Sequence, residues 1–138
     1  MARRVARDAA MKLAFEWWMG GSGEETLDEL GDEICSVELD NVDRDYIHAV
    51  VDGIKDKQPE LDDMIRSYAV DWKTERMSRV DLTILRLSVY EMLYCKEIPR
   101  KVSVSEAVDL ASIYSGEKSA AFINGLLGSV LRALETEQ

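Results

Sequence analysis

The sequence predicts an all-α protein, folded as a compact bundle of about seven helices. Apolar residues recur with the helical period nearly throughout the chain, and strand-like alternation is confined to a weak Val-Ser-Val at residues 102–104. The chain has 138 residues, of which 46% are hydrophobic and only 2 are proline, which is typical of one soluble globular domain. A chain of this size buries about two-thirds of its unfolded surface, so its core needs no disulfide or metal ion.

Turn-forming residues separate the helices of the N-terminal half. The first helix ends at the glycine-rich residues 20–23, and the second begins with Ser22 and Glu25 at capping-box spacing. Because proline lacks an amide hydrogen and disfavours the helix interior, Pro59 is expected to separate a third helix from a fourth. The four predicted helices span residues 3–19, 24–34, 43–58 and 60–69.

Three further helices follow, and the first of them is predicted to lie in the centre of the bundle. It begins near Ser78, has Asp81 at its third position, and is apolar on most sides, as buried central helices are. Ser103 and Glu106 have the spacing of a capping box for the next helix, which ends at Gly116. These helices span residues 78–96, 103–116 and 117–134.

The last helix contains two interior glycines, Gly125 and Gly128. Each costs about 1 kcal/mol of helix stability relative to alanine. We therefore expect close contact with a neighbouring helix to explain them.

The net charge of -10, from 17 basic and 27 acidic side chains, argues at first against a nucleic-acid partner, because phosphates repel a polyanion. The acidity is local, however. Residues 20–63 carry fifteen acidic and three basic side chains, whereas residues 1–19 carry two acidic and four basic ones. The acidic segment is either a solvated face that maintains solubility or a docking surface for a basic protein.

The first helix combines arginines with aromatic residues. On a helical wheel, one arc of ~100° holds Arg3, Arg4 and Arg7. The same stripe continues with Met11, Phe15 and Trp18. The opposite flank, a candidate core face, consists of Ala6, Ala10, Leu13 and Trp17.

That pattern has two interpretations. Guanidinium groups grip phosphates and aromatic rings stack on bases, so the stripe fits RNA binding. Alternatively, the arginines form a solvated first turn and the aromatic rings lie in the core. Arginine at a helix N-terminus opposes the helix dipole, so local stability does not explain the cluster, which favours a functional role.

Other chemistry finds little support in the sequence. No apolar run is long enough for a membrane helix or a signal peptide, so a cytoplasmic location is expected. Cys35 and Cys95 have no metal-ligand spacing and are expected to be core or near-core thiols, with a disulfide as the alternative. We expect no metal ion, no cofactor and no enzymatic activity.

Four segments resemble the bacterial transcription antitermination factor NusB family, in family order and spacing. The most specific are Arg-Leu-x-x-Tyr-Glu at residues 86–91 and Phe-Ile-Asn-Gly-Leu-Leu at residues 122–127, taken together. The resemblance covers the chain end to end, through residues 3–10, 80–91, 98–111 and 119–127.

The resemblance implies a single NusB-like domain of two packed helical subdomains, divided near residues 70 and 71. It implies binding of the boxA element of nascent ribosomal RNA leader transcripts. The family binds boxA jointly with NusE, a protein of the small ribosomal subunit, and the pair joins an antitermination complex on RNA polymerase. Some members self-associate through the surface that would bind RNA, so a homo-oligomer is possible.

Carried over to this chain, the resemblance also implies site residues. The arginine-rich helix that contacts RNA corresponds to Arg3, Arg4 and Arg7, with Phe15 as an aromatic residue near that surface. A second RNA-facing patch corresponds to Phe122 and Lys118. Some members have an acidic residue at the position of Lys118, where a lysine should favour phosphate. The acidic residue near the RNA and partner surface corresponds to Asp81, and residues 20–45 match the family poorly.

Two other functional classes remain as alternatives. Ribosomal RNA cytosine methyltransferases carry a similar helical RNA-binding domain, but this sequence shows no glycine-rich cofactor loop after a strand and no catalytic cysteine motif. A protein-only adaptor would bind partners without affecting RNA. Within the leading hypothesis, Phe122 could still be a core residue rather than a stacking one.

Overall fold

The computed structural model describes residues 3–19, 41–69 and 77–136. Within these segments the chain is helical and contains no strand, so the predicted all-α class is confirmed. The described helices are α1 (Arg3–Trp18), α2 (Asn41–Tyr68), α3 (Arg79–Tyr94), α4 (Arg100–Tyr114) and α5 (Glu117–Thr136). The described residues thus form five helices rather than about seven, and the helix predicted over residues 24–34 lies outside them.

The chain divides into two compact units, Met1–Asp56 and Lys57–Gln138. The boundary between the units falls within α2, which contributes residues to both. The division that the family resemblance implies near residue 70 stays a prediction.

The prediction that Pro59 separates two helices is wrong, because α2 continues through it as one helix. An interior proline removes one helix hydrogen bond and costs about 3 kcal/mol. Here its ring lies on an exposed side of the helix, while Ile54, Leu61 and Ile65 on the buried side are at most 1% exposed. Burial of such side chains contributes about 1.5–3 kcal/mol each, so packing sustains the helix across the proline.

In the first unit, α1 is buried along a face of small residues. The expected core residues Ala6, Ala10 and Leu13 are buried, as are Ala9 and Ala14. Trp17, also expected in the core, is half-buried, and the Lys55 ammonium of α2 lies 5.7 Å from the centre of its ring. A cation over the face of an aromatic ring is attracted to it, and this contact joins α1 to α2.

In the second unit, α3 has the central position that its sequence predicts. Every residue from Asp81 to Val89 is buried, and α3, α4 and α5 pack on one another. The start of α3 is also confirmed, since the Ser78 hydroxyl accepts a hydrogen bond from the Asp81 amide at 3.0 Å. The helix ends at Tyr94, two residues earlier than predicted.

The predicted capping box at Ser103 is wrong, because α4 begins three residues earlier, at Arg100. Pro99 has a backbone φ of -58° and precedes the first helical residue, so it sets the direction of the chain into the helix. Ser103 is therefore the fourth residue of the helix, where it is only 2% exposed. Its hydroxyl donates a hydrogen bond to the buried Glu91 carboxylate of α3 at 2.9 Å.

The polar residues of α3 are held by its neighbours. Arg86, which is 4% exposed, forms a two-pronged ion pair with Asp62 of α2. Its Nε donates to Asp62 Oδ1 at 2.7 Å, and its Nη2 donates to Oδ2 at 2.9 Å. Such forked pairs fix the geometry of both partners, so the pair ties α3 to the C-terminal part of α2.

Backbone conformation explains the glycine at position 116, but it does not explain those at positions 125 and 128. α4 ends at Tyr114, two residues before the predicted end at Gly116. Gly116 has a φ of +107°, a conformation that other residues rarely adopt. The expectation that Gly125 and Gly128 reflect close helix contact is wrong. A Cβ at Gly125 would meet no heavy atom of the described residues within 4 Å, and one at Gly128 would meet only the Arg132 side chain, at 3.5 Å.

We predict that Asp62→Ala lowers the free energy of unfolding by about 3 kcal/mol, because it leaves the buried Arg86 guanidinium without its carboxylate. The adjacent Asp63 is the matched control, since it forms an exposed ion pair with Arg66 at 2.8 Å. Asp63→Ala should change stability by no more than about 0.5 kcal/mol. Urea unfolding followed by circular dichroism measures both, and equal effects would contradict the assigned role of Asp62.

We also predict that Ser103→Ala lowers stability by about 1–2 kcal/mol, because it removes a donor from the buried Glu91 carboxylate. Ser105, two residues further along α4, is exposed, and Ser105→Ala should shift stability by less than about 0.5 kcal/mol. Thermal unfolding of the two variants compares them directly. Helix propensity alone favours alanine over serine at both positions, so an equal cost at Ser105 and Ser103 would contradict the role assigned to the buried bond.

Candidate nucleic-acid interface

The arginines predicted on α1 differ in exposure. Arg4 is exposed, whereas Arg7 is buried with only 4% of its surface accessible. The side chain of Arg3 lies outside the described part of the structure. Met11, one turn beyond Arg7 on the same face, is also buried at 3% exposure. The middle of the predicted stripe, at Arg7 and Met11, thus lies in the core and not at the surface. The apolar character of Met11 was the feature of the sequence that indicated this burial.

The aromatic residues at the end of α1 occupy an intermediate environment. Phe15 and Trp18 are both half-buried, so part of each ring remains accessible to solvent. Between them and the arginines, the Lys12 ammonium lies 3.0 Å from the Asp8 carboxylate. The basic character of this face is therefore partly neutralised within α1 itself.

The second predicted patch lies on the first two turns of α5. Lys118 is exposed, and Phe122 follows one turn later on the same face and is half-buried. Ala120 and Ile123 of the same turns are buried, which orients the helix so that Phe122 lies at the edge of the core. A ring in this position can pack on the protein with one side and stack on a base with the other.

Asp81 joins the start of α3 to the start of α5. The Ser119 hydroxyl donates a hydrogen bond to Asp81 Oδ2 at 2.8 Å. The carboxylate is only 7% exposed, and no donor of the described residues reaches its other oxygen, Oδ1. Because Ser119 follows Lys118 directly, Asp81 fixes the turn that carries this lysine. The motif containing Ser119 was recognised in the sequence, but the role of Ser119 was not.

The residues of the second patch lie in one compact unit, and the α1 residues of the candidate interface belong to the other. Asp81, Lys118 and Phe122 all belong to the second unit, whereas Arg4, Arg7 and Phe15 belong to the first. The candidate interface therefore consists of two sets of residues, each positioned by its own unit.

A pocket of about 380 Å³ lies elsewhere in the second unit, and the sequence did not predict it. It is formed where α3 ends and α4 begins, and Arg100 Nε donates to the Met92 carbonyl there at 3.1 Å. Its walls consist of Met92, Cys95, Lys96, Ile98, Arg100 and Glu135. Of the two cysteines, Cys95 is half-buried, and Cys35 lies outside the described residues.

At residues 3–19, 41–69 and 77–136, no helix combines the length and apolar character that crossing a membrane requires. The same segments hold no group of three or more histidine, cysteine or acidic side chains placed to bind a metal ion.

Comparison with known proteins identifies many relatives of this chain. The model of the NusB family matches residues 4–132. A transcription antitermination protein NusB from Clostridium botulinum strain Hall is 45% identical over 143 residues, which cover 95% of this chain and 100% of the relative. A protein of the same name from Acetivibrio thermocellus is 42% identical and covers 96% of this chain and 90% of its own length.

Solved structures show the same likeness. T. maritima NusB superposes with a TM-score of 0.82 at 34% identity, over 96% of this chain and 92% of that one. A NusB chain crystallised with NusE and double-stranded RNA gives a TM-score of 0.80 at 26% identity, over 95% of this chain and 96% of that one. The family match spans nearly the whole sequence, and the relatives share its length and fold. This chain therefore belongs to the NusB family of transcription antitermination proteins.

Proposed function

We propose that this chain is a non-enzymatic antitermination factor that binds the boxA element of nascent ribosomal RNA leader transcripts. It does so together with NusE, a small-subunit ribosomal protein, and the pair joins the antitermination complex on RNA polymerase. Family membership supports this function, as does the likeness to a NusB that was crystallised with NusE and double-stranded RNA. The observation that carries it is the exposed Lys118 beside the half-buried Phe122 on α5.

The geometry of the α5 patch suits a phosphate followed by a base. Lys118 lies in the first turn of a 20-residue helix, where the helix dipole and the backbone amides also favour an anion. Phe122 lies one turn further along the same face, within reach of a base attached to that phosphate. A lysine contact supplies affinity without sequence preference, and stacking on the ring tolerates any base. Sequence preference must then come from further contacts.

On α1, we propose that Arg3 and Arg4 contact phosphates and that Phe15 supplies a second stacking ring. Arg7 belongs to the same motif, but its burial gives it a different task. A buried guanidinium keeps its charge and needs hydrogen-bond acceptors. We therefore propose that Arg7 orients the first turns of α1 and acts on RNA through that orientation.

We propose that Asp81 contributes to partner binding by positioning rather than by open contact. Its carboxylate is enclosed, and its hydrogen bond to Ser119 sets the first turn of α5. Lys118 projects from that turn. A partner that bound at the first turn of α5 would contact a surface whose shape depends on Asp81.

The overall charge fits a shared rather than a solitary interaction with RNA. A chain of net charge -10 repels RNA at long range, so its non-specific affinity should be weak. A basic partner such as a ribosomal protein would offset that repulsion and would be attracted to the acidic segment at residues 20–63. Self-association through the RNA-binding face is a competing state, and light scattering with and without RNA measures it.

We predict that Phe122→Ala weakens binding of a boxA RNA by roughly five- to 150-fold, since stacking on one aromatic ring contributes about 1–3 kcal/mol per base. Tyr94→Ala is the aromatic control. Tyr94 is 40% exposed at the opposite end of α3 from Asp81, and its ring packs against that of Tyr90 at a tilt of 35°, with centroids 5.1 Å apart. Fluorescence anisotropy with labelled RNA compares the variants, and equal affinity of Phe122→Ala and the unmodified protein would rule out the stacking role.

We predict that Lys118→Gln and Arg4→Gln each reduce the dependence of RNA affinity on salt. One lost phosphate contact to single-stranded RNA should decrease the slope of log K against log salt by about 0.7. Lys101→Gln, an exposed lysine at the start of α4, removes the same charge at a site outside the proposed interface and should leave the slope unchanged. Titrations at four or more salt concentrations give the slopes, and three equal slopes would refute the site assignment.

A further inference from the structure

An arginine on α5 beyond the proposed site is held along the helix surface. Arg132 is exposed, and its Nη2 donates a hydrogen bond to Ser129 Oγ at 3.2 Å. Ser129 Oγ donates in turn to the Gly125 carbonyl at 3.2 Å. These contacts direct the guanidinium back along α5, towards Phe122. Among the described residues, no carboxylate lies within ion-pair distance of Arg132, so no acidic side chain of this part of the chain neutralises its charge.

The residues of this face between Phe122 and Arg132 are small, namely Gly125 and Ser129. At Gly125 an added Cβ would meet no heavy atom of the described residues within 4 Å, and the residue is exposed. Its backbone is helical, so no unusual conformation requires glycine either. Glycine costs about 1 kcal/mol here relative to alanine, and nothing in the described part of the fold compensates for that cost. A ligand that approaches the helix closely at this position would explain why glycine is present there.

The residues concerned share one face of α5. Their spacing of four, three, four and three residues keeps them within one arc of the helix, and they are Lys118, Phe122, Gly125, Ser129 and Arg132. Two other exposed residues of α5, Glu117 and Glu135, lie about 100° round the helix from Lys118. The face therefore has a cation at each end and no acidic side chain along it.

The distances along the face match an extended chain of a few nucleotides. Arg132 lies ten residues beyond Phe122, or about 15 Å along the helix axis. Helix side chains lean towards the N-terminus, so a side chain at position 125 would cover the turn that holds the Phe122 ring. Glycine at this position leaves both the ring and the path towards Arg132 open.

We propose that the RNA path continues along α5 from Lys118 and Phe122 to Arg132, which contacts a further phosphate. Gly125 lets the sugar-phosphate backbone approach the helix closely between them. This inference rests on the proposed RNA-binding function and extends it to two residues to which the family resemblance assigned no role. A face with cations at its ends, one aromatic ring and few apolar side chains favours a polyanion over an apolar protein surface.

Arg132→Gln tests the phosphate contact in the full chain with a boxA RNA. We expect a roughly five- to tenfold loss of affinity and a salt slope smaller by about 0.7, the signature of one phosphate contact. Arg66→Gln is the matched control. Arg66 is an exposed arginine of α2 that is already paired with Asp63 at 2.8 Å, and its replacement changes the net charge equally. It should leave both the affinity and the slope unchanged.

Replacement of Gly125 tests whether RNA approaches α5 closely at this position. Stability should rise while RNA affinity falls, a combination that a purely structural role of Gly125 would not produce. Gly125→Ala should raise the melting temperature, since alanine favours the helix and the site is open, and it should also weaken RNA binding. Gly125→Gln should weaken binding further. Ser105→Gln places the same side chain on an exposed site of α4 and should not affect RNA.

The possible outcomes separate this inference from the proposed function. Full affinity of both Arg132→Gln and Gly125→Gln, with loss of affinity in Phe122→Ala, would end the path at Phe122 and overturn the inference alone. Full affinity of all three variants would overturn both. If Arg132→Gln and Gly125→Gln weakened only the association with NusE, the face would bind protein and the inference would be wrong.

Discussion

The ion pair between Arg86 and Asp62 is the constraint on which the second unit depends. It places a forked, charge-assisted contact between the central helix α3 and the C-terminal part of α2. Apolar packing alone tolerates small rotations and shifts of a helix, whereas a buried guanidinium accepts few arrangements that satisfy its donors. Such a pair adds little net stability over a well-packed apolar substitute, but leaving either partner unpaired is costly. Its main effect is to favour one register of α3.

The position of α3 determines the positions of its neighbouring helices through polar contacts near the two ends of α3. At the start of the helix, Asp81 accepts the hydrogen bond of Ser119 and so positions the first turn of α5. Towards the end, Glu91 accepts the hydrogen bond of Ser103 and positions α4. Both contacts are largely enclosed, where a hydrogen bond is electrostatically stronger than in water. Lys118 is exposed for binding, but the turn that carries it is set from the interior.

Local rules predicted most of the fold and part of the candidate site. The apolar pattern of α3 and the cap at Ser78 are properties of short segments, and both are confirmed. The predicted end of α4 at Gly116 is correct to within two residues. Lys118 and Phe122 were found through a family motif and lie close together as one helical turn requires. The buried environment of Arg7 was not predicted, because the helical wheel shows which residues share a face and not what covers that face.

The sequence by itself determined the all-α class, the central helix and the family, because periodicity, capping and motif spacing depend only on residues that are close together in the chain. The tertiary structure decided which local preferences prevail. Packing on either side of Pro59 outweighs the loss of one hydrogen bond, and the carboxylate of Glu91 makes Ser103 a buried contact rather than a cap. It also showed that no heavy atom of the described residues would lie within 4 Å of a Cβ at Gly125. These outcomes depend on residues distant in the chain, whose positions only the packed fold specifies.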